Sequence, residues 1–173
     1  MQLEALIRNV PDFPVPGILF RDITTLIKDA EAFRQAIDSL AALFSDRRID
    51  KVAGVEARGW IFAAPLAYKF GAGMVLIRKP DKLPAAKVSC EYQLEYGTNC
   101  VEMHADSIAP GENVLLVDDL LATGGTARAS IQLIERLGGK VVGVGFLIEL
   151  VDLRGREQLQ GYDVRSVIRF EGG

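Results

Sequence analysis

The run V-L-L-V-D-D-L-L-A-T-G-G-T, residues 114–126, constrains this chain more than any other segment. Residues 114–117 are uninterruptedly apolar, which suits a parallel strand covered on both faces. Beyond the turn, Ala127, Ile131, Ile134 and Leu137 recur at helical spacing. The two acids and the glycine-rich turn therefore fall at the carboxyl end of a strand, where open α/β sheets bind ligands. Ala122, Thr123, Gly124, Gly125 and Thr126 leave the backbone approachable, so peptide N–H groups and the positive end of the helix can converge on one phosphate. The Thr123 and Thr126 hydroxyls add donors. Asp118 and Asp119 cannot themselves ligate phosphate, but their carboxylates are placed to accept hydrogen bonds from sugar hydroxyls beside it. The chemistry that fits both halves is a ribose 5-phosphate group.

A strand followed by Gly-Gly is also what a plain βα connection needs. Two adjacent acids at a strand end, however, cost solvation and repel each other, which disfavours a purely structural use. Competing phosphate motifs are absent from the sequence: there is no G-x-x-x-x-G-K-[ST], and no G-x-G-x-x-G follows a strand.

At 173 residues the chain suits one domain, able to bury roughly 70% of its unfolded surface. Twenty basic and 23 acidic residues give a net charge of −3 without a basic arm, so nucleic acid is not an expected partner. Cys90 and Cys100 are too few for a disulfide framework, and no charged-then-apolar leader opens the sequence, so a reducing cytoplasm is expected. The longest apolar stretches, 59–68 and 141–148, fall short of a membrane span, and no membrane partner is expected.

Helical and strand periods alternate along the chain, which predicts α/β architecture: a central, mainly parallel sheet flanked by helices. Phe33, Ile37, Leu40 and Phe44 share a helical face behind an N-cap at Asp29, and residues 46–50 end that helix. Strands are expected over 51–56, 73–77, 141–148 and, at the edge, 163–170; an apolar helix is expected over 59–70. Residues 78–97 lack sustained periodicity and form a long connection, as functional flaps do.

The 114–126 string resembles the phosphoribosyl-diphosphate motif of the type I phosphoribosyltransferases. Three further segments are similar to the adenine-using branch of that family and occur in its order. They are F-P-V-P-G-I-L-F-R-D-I-T (13–24), E-A-R-G-W (56–60), and R-K-P-D-K-L-P (78–84) leading to Y-Q-L-E-Y-G (92–97). Together they cover the chain from about residue 13 to 156. The resemblance implies a single domain over 1–173 with the type I fold, a small base-binding hood over 1–28 and a flexible catalytic loop over 78–97. It implies purine salvage, in which the 5-phosphoribosyl group of 5-phospho-α-D-ribose 1-diphosphate passes to adenine, giving AMP and diphosphate.

Residue roles follow from the same resemblance. Arg58, in the A-R-G turn, would hold the leaving diphosphate, with Arg78, Lys79 and Lys82 contributing, in part across a dimer interface; Lys87 is left as a solvated charge. Glu95 would lie at the purine and take its proton. Phe20 would stack on the base, backbone groups around Leu19 and Arg21 would read its edge, and Leu120 would cover its other face. Mg²⁺ is implied, bound mainly through substrate oxygens and water, with no direct protein ligand. A homodimer is implied as well. Trp60 stands where the family usually has Phe, Asp81 where Gly is common, and Lys87 and Cys90 at positions often held by small polar residues. His104 and both cysteines are read as structural. Two rival readings keep the sugar-phosphate pocket: a regulator that binds the diphosphate ester without catalysis, and a transferase for another purine base.

Overall fold

The structure, a computed structural model, describes residues 2–94 and 96–172. A short antiparallel hairpin of β1 (Arg8–Pro11) and β2 (Leu19–Asp22) comes first, then α1 (Thr24–Ile27), α2 (Ala30–Leu43), β3 (Lys51–Val55), α3 (Arg58–Phe70) and β4 (Gly73–Ile77). A second hairpin, β5 (Lys87–Gln93) with β6 (Thr98–His104), precedes β7 (Asn113–Leu121), α4 (Gly125–Arg136), β8 (Lys140–Leu150) and β9 (Val164–Phe170).

The central sheet has the order β4-β3-β7-β8-β9, and all neighbours in it are parallel. From β3 the chain crosses to β4 on one side; from β7 it crosses to β8 on the other. The order thus reverses between β3 and β7, and at such a switch point the connections diverge and leave a crevice at the carboxyl ends of the strands. The β3–α3 turn and the end of β7 are the two walls of that crevice.

Both sheet faces are covered, but differently. On one, α2 and α3 bury Ala36, Leu40, Phe62 and Leu66 against Val52, Leu115 and Val117. On the other, α4 packs Ile131 and Ile134 against Leu116 and Val144, and the β5–β6 hairpin adds Cys90, Val101 and Met103. Asp29 caps α2 as expected, its Oδ1 accepting the Ala32 N–H at 2.8 Å. The α2 face that carries Ile37, Leu40 and Phe44 is buried.

Two expectations change. Residues 78–97 are not one irregular connection, because 87–93 form β5. Their period of two (Val88, Cys90 and Tyr92 inward, with exposed residues between) is short and mixed in polarity, and only pairing with β6 makes it legible. The acid pair also lies within a strand: β7 continues past the apolar run to Leu121, because Leu120 and Leu121 pair with Ile148 and Glu149 of β8.

Candidate active site

At the crevice, Asp118 and Asp119 project from the carboxyl-terminal part of β7. The Asp119 N–H donates to Asp118 Oδ1 at 2.8 Å, so the first acid is turned back on the second. Asp119 is buried, and its Oδ2 lies 2.8 Å from Arg58 Nε on the opposite wall. The approach is close but poorly directed, and Oδ2 has no aligned hydrogen bond. Burial first, and the Asp119 charge second, hold the Asp118 carboxyl well above the ordinary carboxylate range; Arg58 pulls the other way.

Close approach of α3 to β7 depends on Gly59. A Cβ there would fall 2.8 Å from Asp118 Oδ1 and 3.2 Å from the Val117 carbonyl oxygen, so the glycine after Arg58 lets the guanidinium reach the acids. Beside it, Glu56 Oε1 accepts the Lys79 N–H at 2.5 Å and lies 3.4 Å from Arg78 Nε. Arg78 also sits over the Trp60 ring, 5.1 Å from its centroid, and the Trp60 indole donates to the Gly54 carbonyl at 2.8 Å. Trp60 is therefore a platform for a site cation.

These groups line one cavity of about 290 Å³. Its charged walls are Arg58, Arg78 and Lys79 against Glu56, Asp118 and Asp119, with Leu120 and Thr126 alongside. Three cations thus face three acids, so the cavity offers separate positive and acidic patches to one ligand. Adjoining it, a smaller hollow of about 80 Å³ is lined by Ala122, Thr123, Gly124, Gly125 and Thr126. Gly124 adopts φ 89° at the N-cap of α4, a backbone conformation that favours glycine, and the first helical residues, Gly125 and Thr126, line this hollow. Tyr92 reaches over from β5, its hydroxyl oxygen 2.9 Å from Thr126 Oγ1.

In β2 the side chains alternate. The Arg58 guanidinium sits 5.2 Å from the Phe20 ring centroid, and Phe13 packs edge-on against that ring at 5.2 Å. Leu19 and Arg21 line a separate cavity of about 200 Å³ shared with Phe170 and Leu150. Arg21 is buried, donates to Asn9 Oδ1 at 2.5 Å and stacks 4.0 Å from the Phe170 ring centroid. Its side chain is committed to the scaffold.

Of the residues expected at the site, Arg58, Arg78, Lys79, Asp118, Asp119, Leu120 and Thr126 share the main cavity, and 122–126 shape the adjoining hollow. Lys82 stands apart, exposed, with its carbonyl oxygen 3.5 Å from Arg78 Nη1. Glu95 lies outside the described residues. Lys87 is not simply solvated: its Nζ lies 2.9 Å from Glu102 Oε2, and that partner is buried. His104 Nε2 accepts the Ala85 N–H at 3.3 Å, and Cys90 Sγ donates to Gln132 at 2.9 Å. Glu56 and Tyr92 also line the cavity, although sequence reasoning assigns them no role. Their signals are local: an acid ending a buried strand, and an inward position in an alternating one.

The chain matches the phosphoribosyl transferase domain family over residues 24–171. It is 58% identical over 170 residues to the adenine phosphoribosyltransferase of Symbiobacterium thermophilum, covering 98% of this chain and 100% of that one. Its structure is similar to that of the adenine phosphoribosyltransferase of Thermoanaerobacter pseudethanolicus, with a TM-score of 0.96 and 52% identity over 98% of both chains. It is also similar to the APRTase of Giardia lamblia complexed with 9-deazaadenine, with a TM-score of 0.93 and 36% identity over 98% of this chain and 97% of that one.

Proposed function

The chain belongs to the phosphoribosyl transferase family, and from that premise we propose that its crevice transfers the 5-phosphoribosyl group of 5-phospho-α-D-ribose 1-diphosphate to adenine, giving AMP and diphosphate. One observation carries the reading. A hollow at the start of α4, formed in part by the glycine-rich 122–126 turn, adjoins an acid pair, and Arg58 faces that pair from the opposite wall. In this arrangement the amides of 123–126 and the Thr hydroxyls take the 5-phosphate. Asp118 and Asp119 accept hydrogen bonds from the ribose hydroxyls.

The chemical step exchanges two bonds at C1 of the ribose. The bond to the diphosphate oxygen breaks, with the electron pair leaving on diphosphate, and the bond to adenine N9 forms with inversion. Glu95 is assigned the proton that N9 sheds. Arg58, Arg78 and Lys79 stabilise charge as it develops on the departing diphosphate, so the enzyme works by positioning and electrostatics rather than through a nucleophile. Leu120 and Phe20 bracket the base, and a purine on the Phe20 ring face now held by Arg58 displaces that guanidinium toward the diphosphate. Backbone groups of Leu19 and Arg21 read the amino edge, because an unmatched buried polar group is heavily penalised.

The donor set fits Mg²⁺. Asp119 Oδ2 is buried without an aligned hydrogen bond, and the acid pair supplies oxygen, the ligand type this ion takes. Among the described residues no three His, Cys, Asp or Glu side chains cluster as a cage. Asp118 and Asp119 would therefore hold the ion through water and sugar hydroxyls, and when bound it neutralises diphosphate charge. We assign the protein to the cytoplasm and to a C2 homodimer, the default symmetry for such enzymes. No helix among the described residues is long and apolar enough to cross a membrane.

Incubating the protein with Mg²⁺, the diphosphate ester and each purine separately tests this reading. Nucleotide should form rapidly with adenine and much more slowly with hypoxanthine, guanine or xanthine. Binding of the ester without turnover of any base would instead favour a regulator.

A further inference from the structure

The 122–126 turn leans on a part of the chain that lies outside the cavity. A Cβ added to Gly155 would fall 2.4 Å from the Ala122 carbonyl oxygen and 2.7 Å from Leu121 Cδ1. One added to Gly124 would fall 2.5 Å from the Gly155 carbonyl oxygen and 3.0 Å from Gln158 Cβ. Backbone meets backbone here, and any shift of Gly155 is transmitted to the turn directly.

The next residue, Arg156, is held by a two-pronged ion pair. Its Nε and Nη2 donate to Glu149 Oε1 and Oε2 at 2.6 and 2.7 Å, and its Nη1 donates to the Val164 carbonyl at 2.6 Å. Glu149 is 3% exposed, lies in β8 opposite Leu121 of β7, and accepts the Ser166 hydroxyl at 2.6 Å. The anchor therefore ties the Gly155 segment to β8 and β9 one residue away from its contact with the turn. Glu149 is buried but Arg156 is partly exposed, so the attraction between their charges adds little to stability by itself. What a forked guanidinium does offer is fixed geometry.

Resting on the function proposed above, we propose that Arg156 and Glu149 are positioning residues for the 5-phosphate site, holding Gly155 against Ala122 and Gly124 so that the amides of 123–126 keep the spacing a phosphate monoester needs. Arg156 hydrogen bonds hold the Glu149 carboxyl below its usual range, so the anchor stays charged at neutral pH.

Arg156→Lys keeps the charge and loses the fork; Ser166→Ala removes the hydrogen bond it donates to Glu149 and the one it accepts from Arg156, and no charge, and serves if the first variant folds poorly. The measurements are melting temperature, the KM of each substrate, kcat, and the Kd of ribose 5-phosphate by calorimetry. For Arg156→Lys, the Kd of ribose 5-phosphate and the KM of the diphosphate ester should both rise about tenfold, with the KM of adenine within twofold of the parent. For Ser166→Ala the same two constants should rise about threefold. A lowered melting temperature with ribose 5-phosphate affinity within twofold of the parent would make the pair a fold element only and overturn the proposal. Failure of the parent itself to bind ribose 5-phosphate would overturn the phosphate reading of the turn, a distinguishable result.

Discussion

The hydroxyl oxygens of Tyr92 and Thr126 lie 2.9 Å apart, joining the β5–β6 hairpin to the turn that begins α4. The Tyr92 ring also crowds the helix start, since a Cβ on Gly125 would fall 3.0 Å from its Cδ2. This contact latches the hairpin to the proposed phosphate site, while Cys90–Gln132 and Arg136–Ser89 hydrogen bonds tie it to the α4 body. Tyr92→Phe should remove the latch and keep the packing, at a cost of about 1 kcal/mol. Amide exchange in β5 and β6 should then speed up by roughly fivefold. Unaltered exchange would mean the contact carries no weight in solution.

Arg58 is paired with a buried acid and faces the position assigned to the leaving group. By the scale of a single preorganised donor, roughly 2.7–4 kcal/mol, Arg58→Ala should lower kcat/KM by about a hundredfold or more. Arg58→Lys should recover only part of this, because an ammonium cannot span Asp119 and diphosphate in the same plane. Steady-state kinetics at saturating adenine decide it, and an alanine variant with near-parental turnover would remove Arg58 from the mechanism.

The raised pKa of Asp118 has a definite sign. A carboxyl whose folded value lies above its ordinary 3.8 binds a proton more tightly when folded, so it penalises folding as pH rises. The penalty is absent below the ordinary value and complete once pH passes the raised one. Asp118→Asn should therefore be more stable than the parent at neutral pH, and the advantage should vanish in acid. Denaturant titrations across that pH range measure it.

Asp81 occupies φ 65°, a left-handed conformation that costs a non-glycine residue on the order of 1 kcal/mol. Its side chain is exposed, and its contact with Lys87 at 3.9 Å is worth little. The Asp81 N–H bond to Glu102 Oε2 at 3.2 Å survives any substitution that keeps an amide. Asp81→Gly should then stabilise the protein by up to about 1 kcal/mol in thermal unfolding, whereas Asp81→Ala should not.

Glu95 is the assigned acceptor of the base proton. Glu95→Gln should cut kcat by about a hundredfold, within the usual range for general acid–base groups, while the Kd of ribose 5-phosphate stays within twofold. Equal turnover for variant and parent would exclude it.

The 114–126 run is legible in the sequence because its chemistry is local: a buried strand, two acids and a turn into a helix are neighbours along the chain, and strand and helix periods report which face is covered. The same holds for the Asp29 cap. The strand character of 87–93 is not legible there, because a seven-residue stretch of mixed polarity becomes a strand only when β6 lies beside it. Nor is the direction of Arg21, whose guanidinium turns to Phe170 at the far end of the chain.

The α/β class, the glycine-rich turn and the acid pair can thus be read from the chain alone, since each rests on residues a few positions apart. Only the tertiary structure decided that β3 and β7 stand side by side, so that Arg58 meets Asp119, and that Gly155 presses on Ala122. Those contacts join segments dozens of residues apart. No local propensity encodes them, because they arise only when parallel strands pair and the chain order reverses across the sheet.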